Sequence, residues 1–242
     1  MKGTLSIKPV FVKTANVMAF ESLMNGLALS EGEGRFGLVW GRAGRGKTRT
    51  TQYYCANTKN CHYILALQVW RHSHGELLKA IAREIGIINP PNRIGPLFAA
   101  VAERLINSRP TIFIDEPDKL TISHLEILRD LTEFTGAPFV LIGEEALPDM
   151  MKKERRIWSR TFQQIQFKPF SSADIVQYVN TAAGVRMADI EASEAIFKKA
   201  EGDIRIAKII FTNLVQVLNA KGTAEADVET VQVAIRQAFP EN

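Results

Sequence analysis

Short apolar runs separated by polar turns mark the first two thirds of this 242-residue chain. Four of the runs are almost continuously apolar, as in strands of a parallel sheet that is covered on both faces. A fifth run alternates polar and apolar residues, which is typical of an edge strand. The predicted strands are 36–40, 62–67, 111–114, 138–143 and 164–168.

Apolar residues have helical spacing in the segments between these runs and throughout the end of the chain. Helices are predicted at 16–28, after residue 48, and at 75–85, 96–107 and 123–134, where Ser123 and Glu126 form a capping box. A polar turn is predicted at 30–34. After residue 168 only amphipathic helices are predicted, at 171–183, 192–200, 204–220 and 224–238. Strands alternating with helices predict an α/β nucleotide-binding core at 1–168, with an extended N-terminal segment and a helix, followed by an all-helical lid at 169–242.

A glycine-rich loop follows the first predicted strand and opens the next helix. It has all four required positions of a phosphate-binding loop. The loop reads Gly41-Arg42-Ala43-Gly44-Arg45-Gly46-Lys47-Thr48, with Arg49 after it. Glycines let backbone N–H groups turn toward phosphate oxygens, and the helix start adds a favourable dipole. We expect these nine residues to bind a nucleotide, with Lys47 at its terminal phosphates and Thr48 at Mg²⁺.

Two acids, Asp115 and Glu116, stand where the third predicted strand ends. Ligand chemistry in open α/β sheets lies at the carboxyl edge of the strands. Asp115 is predicted to hold the Mg²⁺ at Thr48 through the water shell of the ion, and Glu116 to orient and polarise the attacking water. Acids are common at strand ends, so the pair alone is a weak signal. Here a phosphate loop precedes it with a pair of predicted helices in between, and this spacing makes the signal strong.

Composition is that of an ordinary globular protein, with 46% hydrophobic and 23% charged residues. The sequence contains no apolar run near the roughly 20 residues needed to span a bilayer, and its start does not resemble a signal peptide. Cys55 and Cys61 have only His62 beside them, which argues against a disulfide framework and against a zinc set. We expect a cytoplasmic protein with reduced thiols and no membrane partner.

Basic residues are distributed unevenly, although the net charge is only +4. Residues 34–75 contain seven lysines and arginines and no acid. A second cluster is interrupted only by Glu154 and consists of Lys152, Lys153, Arg155, Arg156 and Arg160. These clusters fit a polyanionic partner. Alternatively, some of the residues serve the nucleotide and the rest form a solvated face, and composition does not decide between the two.

A phosphate-loop core followed by a helical lid resembles the AAA+ ATPases over nearly the whole chain. The segment 202–205 is similar to the second sensor of that family, which implies that Arg205 reaches the γ-phosphate. Residues 156–160 resemble the segment with the arginine finger, which implies Arg160 as the finger and Arg156 as the alternative. The alternative for Arg156 and Arg160 is a basic surface helix without a catalytic role. For Arg205 the alternative is a salt bridge to an acid of the lid.

The sequence departs from the family at the first sensor. That position is normally a neutral polar residue after the fourth strand, but here Gly143 is followed by Glu144 and Glu145. A carboxylate near the γ-phosphate would repel it unless it is protonated, paired or turned away. Either another residue therefore takes over the sensor function, or hydrolysis is slow, and slow turnover suits a switch better than a motor. The predicted catalytic set is Glu116, Lys47, Arg160, Arg156, Arg205 and Glu144.

Within the AAA+ proteins the chain resembles the DNA-transposition ATPases of the Mu B group. This resemblance rests on three stretches of sequence: 115–120, 141–143 with the Arg156/Arg160 region after it, and 168–170. It implies ATP and Mg²⁺ as cofactors, assembly on duplex DNA as a ring or a helical filament, and a DDE transposase as partner, in a bacterial cytoplasm. A helicase loader, a secretion-type ATPase and a nucleotide-gated filament protein remain alternatives.

Contacts with DNA are expected from the core itself, because the chain begins almost directly at it. Trp70 stands alone, with no aromatic platform for single strands, so phosphate contacts to duplex DNA of almost any sequence are expected. The candidate residues are Arg71 and Lys79, with Lys152 and Lys153 as a second surface. Lys79 is equally compatible with a solvated helix position.

Overall fold

The computed structural model describes residues 4–29 and 35–240, which form two compact units. The first, here called the sheet unit, contains residues 16–29, 35–42 and 47–167. The second, the helical unit, contains residues 4–15, 43–46 and 168–240. The predicted polar turn at 30–34 lies outside the described residues.

A five-stranded parallel sheet is the centre of the sheet unit. The strands are β1 (Phe36–Trp40), β2 (Cys61–Leu65), β3 (Thr111–Asp115), β4 (Phe139–Gly143) and β5 (Thr161–Gln166). Their order is β2-β3-β4-β1-β5, and every pair is parallel. The predicted α/β fold with a parallel five-stranded sheet is therefore confirmed, including the edge position of the alternating strand β5.

Helices cover both faces of this sheet. They are α1 (Ala15–Ala28), α2 (Lys47–Asn57), α3 (His74–Glu84), α4 (Ile94–Ser108), α5 (Ile122–Thr135), α6 (Leu147–Lys152) and α7 (Arg155–Trp158). Because successive strand residues point to opposite faces, β4 contributes Leu141 to the core beneath α3–α5 and Ile142 to the core beneath α1. Burial on both faces fixes the sheet and leaves the carboxyl ends of its strands for chemistry.

The start of α5 differs from the predicted capping box. The cap is Thr121, and its partner is His124 rather than Glu126. The Thr121 hydroxyl lies 2.7 Å from His124 Nδ1, and the other ring nitrogen lies 3.0 Å from the Trp70 carbonyl oxygen. Burial, followed by the charge of His74, lowers the pKa of His124. The neutral imidazole thus joins α5 to the 3₁₀ turn Gln68–His72.

Four helices form most of the helical unit: α8 (Ser172–Ala183), α9 (Ile190–Ala200), α10 (Ile204–Lys221) and α11 (Val228–Ala238). The predicted capping pair Ser171 and Asp174 is confirmed by reciprocal hydrogen bonds at the start of α8. The ring of Phe211 packs edge-on against Tyr178 with centroids 5.5 Å apart, inside the core that the four helices share.

The prediction that this unit is all-helical is wrong in one detail. Strands β6 (Arg186–Met187) and β7 (Glu225–Ala226) pair in parallel in the connections before α9 and α11. Residues 224–227 consequently lie outside the helix that was predicted to begin at 224. Two residues per strand are too few to produce the period-two pattern by which strands are recognised in a sequence.

The described N-terminal segment packs with the helical unit, whereas the sequence prediction assigned it to the core. The Lys8 amide donates to the Ala182 carbonyl oxygen at 2.8 Å. The Asn219 side chain exchanges two hydrogen bonds with the backbone of Leu5, at 2.7 and 2.9 Å. Apolar spacing identifies a segment as extended but does not tell which surface it joins.

Among the described residues, every helix is too short or too polar to cross a bilayer.

Candidate nucleotide-binding site

The phosphate loop connects the end of β1 to the first residue of α2, as the sequence predicts. Gly41, Gly44 and Gly46 have φ angles of +147°, +75° and +88°. A side chain at Gly44 would also collide with the Asp203 carboxylate, since an ideal Cβ would lie 2.0 Å from it. Glycine is therefore required at the loop tip both by backbone conformation and by close approach.

Lys47 folds back over the loop that precedes it. Its Nζ donates to the carbonyl oxygens of Gly41 at 2.7 Å and Arg42 at 3.0 Å. Only 9% of the residue is exposed. The ammonium group is thus held at the loop by its own backbone, in a position to serve as a cation for phosphate oxygens.

The loop tip also makes two hydrogen bonds to the segment before α10, inside the helical unit. Arg45, which is 6% exposed, donates from Nη1 to the Glu201 carbonyl oxygen at 2.8 Å. The Ile204 amide donates to the Gly44 carbonyl oxygen at 3.0 Å. The Arg45 guanidinium is therefore turned toward this segment, while Arg42, Ala43 and Arg49 are exposed.

Arg205, the candidate second sensor, lies in the first turn of α10 and is exposed. The cap of that helix is Asp203, whose carboxylate accepts the Arg205 amide at 2.7 Å. A single segment, 201–205, thus carries the loop-tip hydrogen bonds and the candidate arginine.

Asp115 is the most heavily hydrogen-bonded side chain of the site. Its Oδ2 accepts the Thr48 hydroxyl and the Tyr63 hydroxyl, each at 2.7 Å. Its Oδ1 accepts the Glu116 amide at 2.9 Å. The residue is 2% exposed, and a buried carboxylate requires such partners to offset its lost hydration.

Tyr63 was not singled out from the sequence. Burial, and then the hydrogen bond to Asp115 and its negative charge, raise the pKa of Tyr63. The hydroxyl therefore stays protonated and donates to the carboxylate. Tyr63 lies on a neighbouring strand about fifty residues away in sequence, and only the parallel register of β2 and β3 brings it near Asp115.

Glu116 follows Asp115 in a left-handed backbone conformation, with φ of 56° and ψ of 47°. Its amide donates to the Ile142 carbonyl oxygen at 2.9 Å, which ties the turn to β4. Its half-exposed carboxylate forms an ion pair with Lys119, one turn later. This hydrogen bond raises the pKa of Lys119. The backbone of Glu116 is fixed, whereas its side chain is held only by a surface lysine.

The other predicted residues differ in how far they are engaged. Glu144 follows β4, which lies between β3 and β1, and its side chain is exposed. Arg160 donates to Glu133 on α5 at 2.7 Å. Arg156, on α7, is exposed. The pair of Arg160 with Glu133 could not be predicted from sequence, because it depends on the packing of α5 beside the start of β5.

Two of the four residues predicted to contact DNA form ion pairs with neighbouring acids. Lys79 is an ion-pair partner of Glu76 at 3.3 Å and only 25% of its side chain is exposed. Lys152 pairs with Asp149 at 3.2 Å and lies over the Trp158 ring. Arg71, in the 3₁₀ turn Gln68–His72, and Lys153 are both exposed.

The donors around Asp115 fit Mg²⁺. The ion prefers hard oxygen ligands and is usually held in nucleotide sites by one or two protein oxygens, together with phosphates and water. The Thr48 hydroxyl and the Asp115 carboxylate lie together and offer such oxygens. Across residues 4–29 and 35–240 no group of three or more His, Cys, Asp or Glu residues could hold a metal alone.

This geometry defines a phosphate-loop nucleotide site at the carboxyl edge of a parallel sheet. Residues 30–151 match the AAA domain family. That match covers half of the chain, so the protein belongs to the AAA family, and it is an ATPase.

The chain is also similar to a protein of a prophage and a protein of a phage. It is 29% identical over 213 residues to the Mu-like prophage FluMu DNA transposition protein B of Haemophilus influenzae, covering 82% of this chain and 70% of that protein. It is 32% identical over 159 residues to the ATP-dependent target DNA activator B of Escherichia phage Mu, covering 65% of this chain and 50% of that protein. The predicted resemblance to the Mu B group is confirmed.

Solved structures show the same fold. The Cdc6p protein of Pyrobaculum aerophilum superposes with a TM-score of 0.68 at 15% identity, covering 99% of this chain and 73% of that one. The Aeropyrum pernix ORC2 protein gives a TM-score of 0.65 at 15% identity, covering 98% of this chain and 70% of that one.

Proposed function

We propose that this ATPase assembles on duplex DNA in its ATP-bound state and prepares that DNA as the target of a DDE transposase. The observation that carries the proposal is the hydrogen-bonded set of Thr48, Asp115 and Glu116 beside the phosphate loop. The similarity to two proteins named for DNA transposition and for target DNA activation supports a role of the ATPase in transposition. Those relatives belong to a phage and a prophage, which supports action in a bacterial cytoplasm.

ATP and Mg²⁺ are the proposed cofactors. The phosphate loop binds the phosphates through backbone amides and the Lys47 ammonium, while Thr48 and Asp115 hold the ion. When bound there, Mg²⁺ would supply positive charge against the charge that develops on the phosphate oxygens. Glu116 orients the attacking water and accepts its proton, which requires its carboxylate to leave Lys119.

Turnover is proposed to be slow, as suits a switch. Glu116 is engaged by Lys119, and the first-sensor position is occupied by Glu144 rather than by a neutral polar residue. An exposed glutamate there can turn away from the phosphates, but it does not replace the missing hydrogen-bond donor. The ATP-bound assembly would therefore outlast many encounters with DNA.

Assembly is proposed because the chain offers arginines that can act on a neighbouring copy. Arg160 remains the proposed finger and Arg156 the alternative, while Arg205 acts on the nucleotide of its own subunit. The pair with Glu133 must open before Arg160 reaches a phosphate, whereas exposed Arg156 needs no such step. A ring and a helical filament both place such an arginine against a neighbouring site.

DNA is proposed to bind through phosphate contacts without sequence preference. Arg71 is the best-placed candidate because it is exposed on a turn, and Lys153 is the second. Lys79 and Lys152 contribute less, since each already neutralises an acid. One subunit offers few free cations, so affinity depends on assembly, which multiplies them along the duplex.

Replacing the proposed base tests the hydrolytic assignment. The Glu116→Gln protein should bind ATP normally but hydrolyse it about 10²-fold more slowly or worse, because an amide cannot accept the proton. Phosphate release and ATP binding are measured in parallel. The control is Glu145→Gln, an exposed glutamate beyond β4. Wild-type turnover in Glu116→Gln would remove this residue from the base role.

Mixing two inactive proteins tests action across a subunit boundary. Arg160→Ala should bind ATP and lose most hydrolysis, since a finger in trans is worth about 10³–10⁵ in rate. Adding Glu116→Gln protein should restore activity, because one type of junction then pairs an intact finger with an intact base.

Arg156→Ala is compared in the same assay, and Arg155→Ala is the control from the same short helix. Recovery with Arg156→Ala alone would transfer the finger to that residue. If neither variant recovers at any ratio while mixed assembly is verified, the arginines do not act in trans.

A salt titration on two unrelated duplexes tests the DNA proposal. With ATP, log affinity should fall by about 0.9 per log unit of salt for each phosphate neutralised, equally for both sequences. Arg71→Ala should lower that slope more than Lys79→Ala does, since Lys79 is already paired. Equal binding with ADP, or strong preference for one duplex, would contradict the DNA proposal.

A separate assay with a purified transposase distinguishes target selection from helicase loading, because only a target-selection protein should stimulate strand transfer.

A further inference from the structure

Tyr63 makes a contact with the proposed metal site that a phosphate loop does not require. Its hydroxyl donates to Asp115 Oδ2 at 2.7 Å, on the same oxygen that accepts Thr48. Thr48 and Asp115 belong to the two sequence motifs of the site, whereas Tyr63 comes from the edge strand β2. The hydroxyl is therefore an additional restraint on the carboxylate.

The number of donors limits how Asp115 can meet a cation. An ionised carboxylate offers about four acceptor positions. Three are occupied, by the hydroxyls of Thr48 and Tyr63 on Oδ2 and by the Glu116 amide on Oδ1. About one position remains, and the direction in which it points depends on the rotation of the carboxylate. Removing the Tyr63 hydroxyl would free a second position and loosen that rotation.

Packing holds the Tyr63 ring in place. In the register of β2 and β3, Tyr63 lies opposite Phe113 and Leu65 lies opposite Asp115. Since side chains alternate along a strand, Tyr63, Phe113 and Asp115 share one face of the sheet. The ring packs against the apolar cluster that contains Phe20 and Phe113. The hydroxyl is thus presented to Asp115 from a fixed position.

We propose that Tyr63 is a positioning residue, which orients the Asp115 carboxylate so that the site binds Mg²⁺ together with ATP. The inference rests on the proposed assignment of Thr48 and Asp115 to Mg²⁺. Groups that hydrogen-bond a metal-binding side chain typically change metal affinity 10–100-fold when removed.

The test measures ATP affinity by calorimetry at a series of free Mg²⁺ concentrations. In Tyr63→Phe the Mg²⁺ concentration that gives half of the gain in ATP affinity should rise about tenfold. ATP affinity in excess EDTA should stay that of the wild type, because the phosphate loop is untouched. A general structural defect would instead lower ATP affinity in EDTA to the same extent, and that result would overturn the proposal.

Tyr54→Phe is the matched control. Tyr54 packs edge-on against the rings of Phe20 and Phe113, in the apolar cluster that Tyr63 also contacts, and its hydroxyl is hydrogen-bonded to Thr58 instead of Asp115. It loses the same atom from the same cluster and should keep the wild-type Mg²⁺ dependence. An equal shift in both variants, or none in Tyr63→Phe, would overturn the role of Tyr63.

Asp115→Asn separates this inference from the function on which it rests. The variant should lose most of the gain in ATP affinity that Mg²⁺ provides. If it does and Tyr63→Phe behaves as wild type, only the role of Tyr63 is wrong. If Asp115→Asn also responds to Mg²⁺ as the wild type does, the proposed metal site itself fails.

Discussion

The buried carboxylate of Asp115 is the constraint on which the site depends. A carboxylate removed from water is costly unless donors surround it. Here the donors come from three places: the start of α2, strand β2 and the turn at Glu116. The helix that begins at the phosphate loop, the edge strand β2 and the turn at Glu116 are therefore held in one arrangement by one side chain.

A second set of hydrogen bonds connects the loop tip to segment 201–205 within the helical unit. Arg45 donates to the Glu201 carbonyl oxygen, and the Gly44 carbonyl oxygen accepts the Ile204 amide. Asp203 caps the helix that begins with Ile204, and the same helix carries Arg205. One short segment thus carries both the hydrogen bonds to the loop tip and the residue proposed to contact the γ-phosphate.

The parts of this account that sequence could predict are those that depend on short-range pattern. Apolar runs such as 139–143 and the spacing of the phosphate loop need only neighbouring residues, and the fold and the loop followed from them. The hydroxyl of Tyr63 on Asp115 depends on the register of two strands about fifty residues apart. The pairs of Glu116 with Lys119 and of Arg160 with Glu133 depend on rotamers and helix packing, which periodicity does not report.

ATP binding by a Lys47→Ala protein is the most direct test of the central claim that loop 41–48 holds the nucleotide. The Lys47 ammonium donates hydrogen bonds to two carbonyl oxygens of the loop and is thereby held beside it. A hydrogen bond from such a charged group to a phosphate contributes about 1.5–3 kcal/mol. Calorimetry should show ATP affinity reduced about 10- to 100-fold, while Lys59→Ala, an exposed lysine after α2, binds as the wild type does. Unchanged ATP affinity in Lys47→Ala would contradict the account.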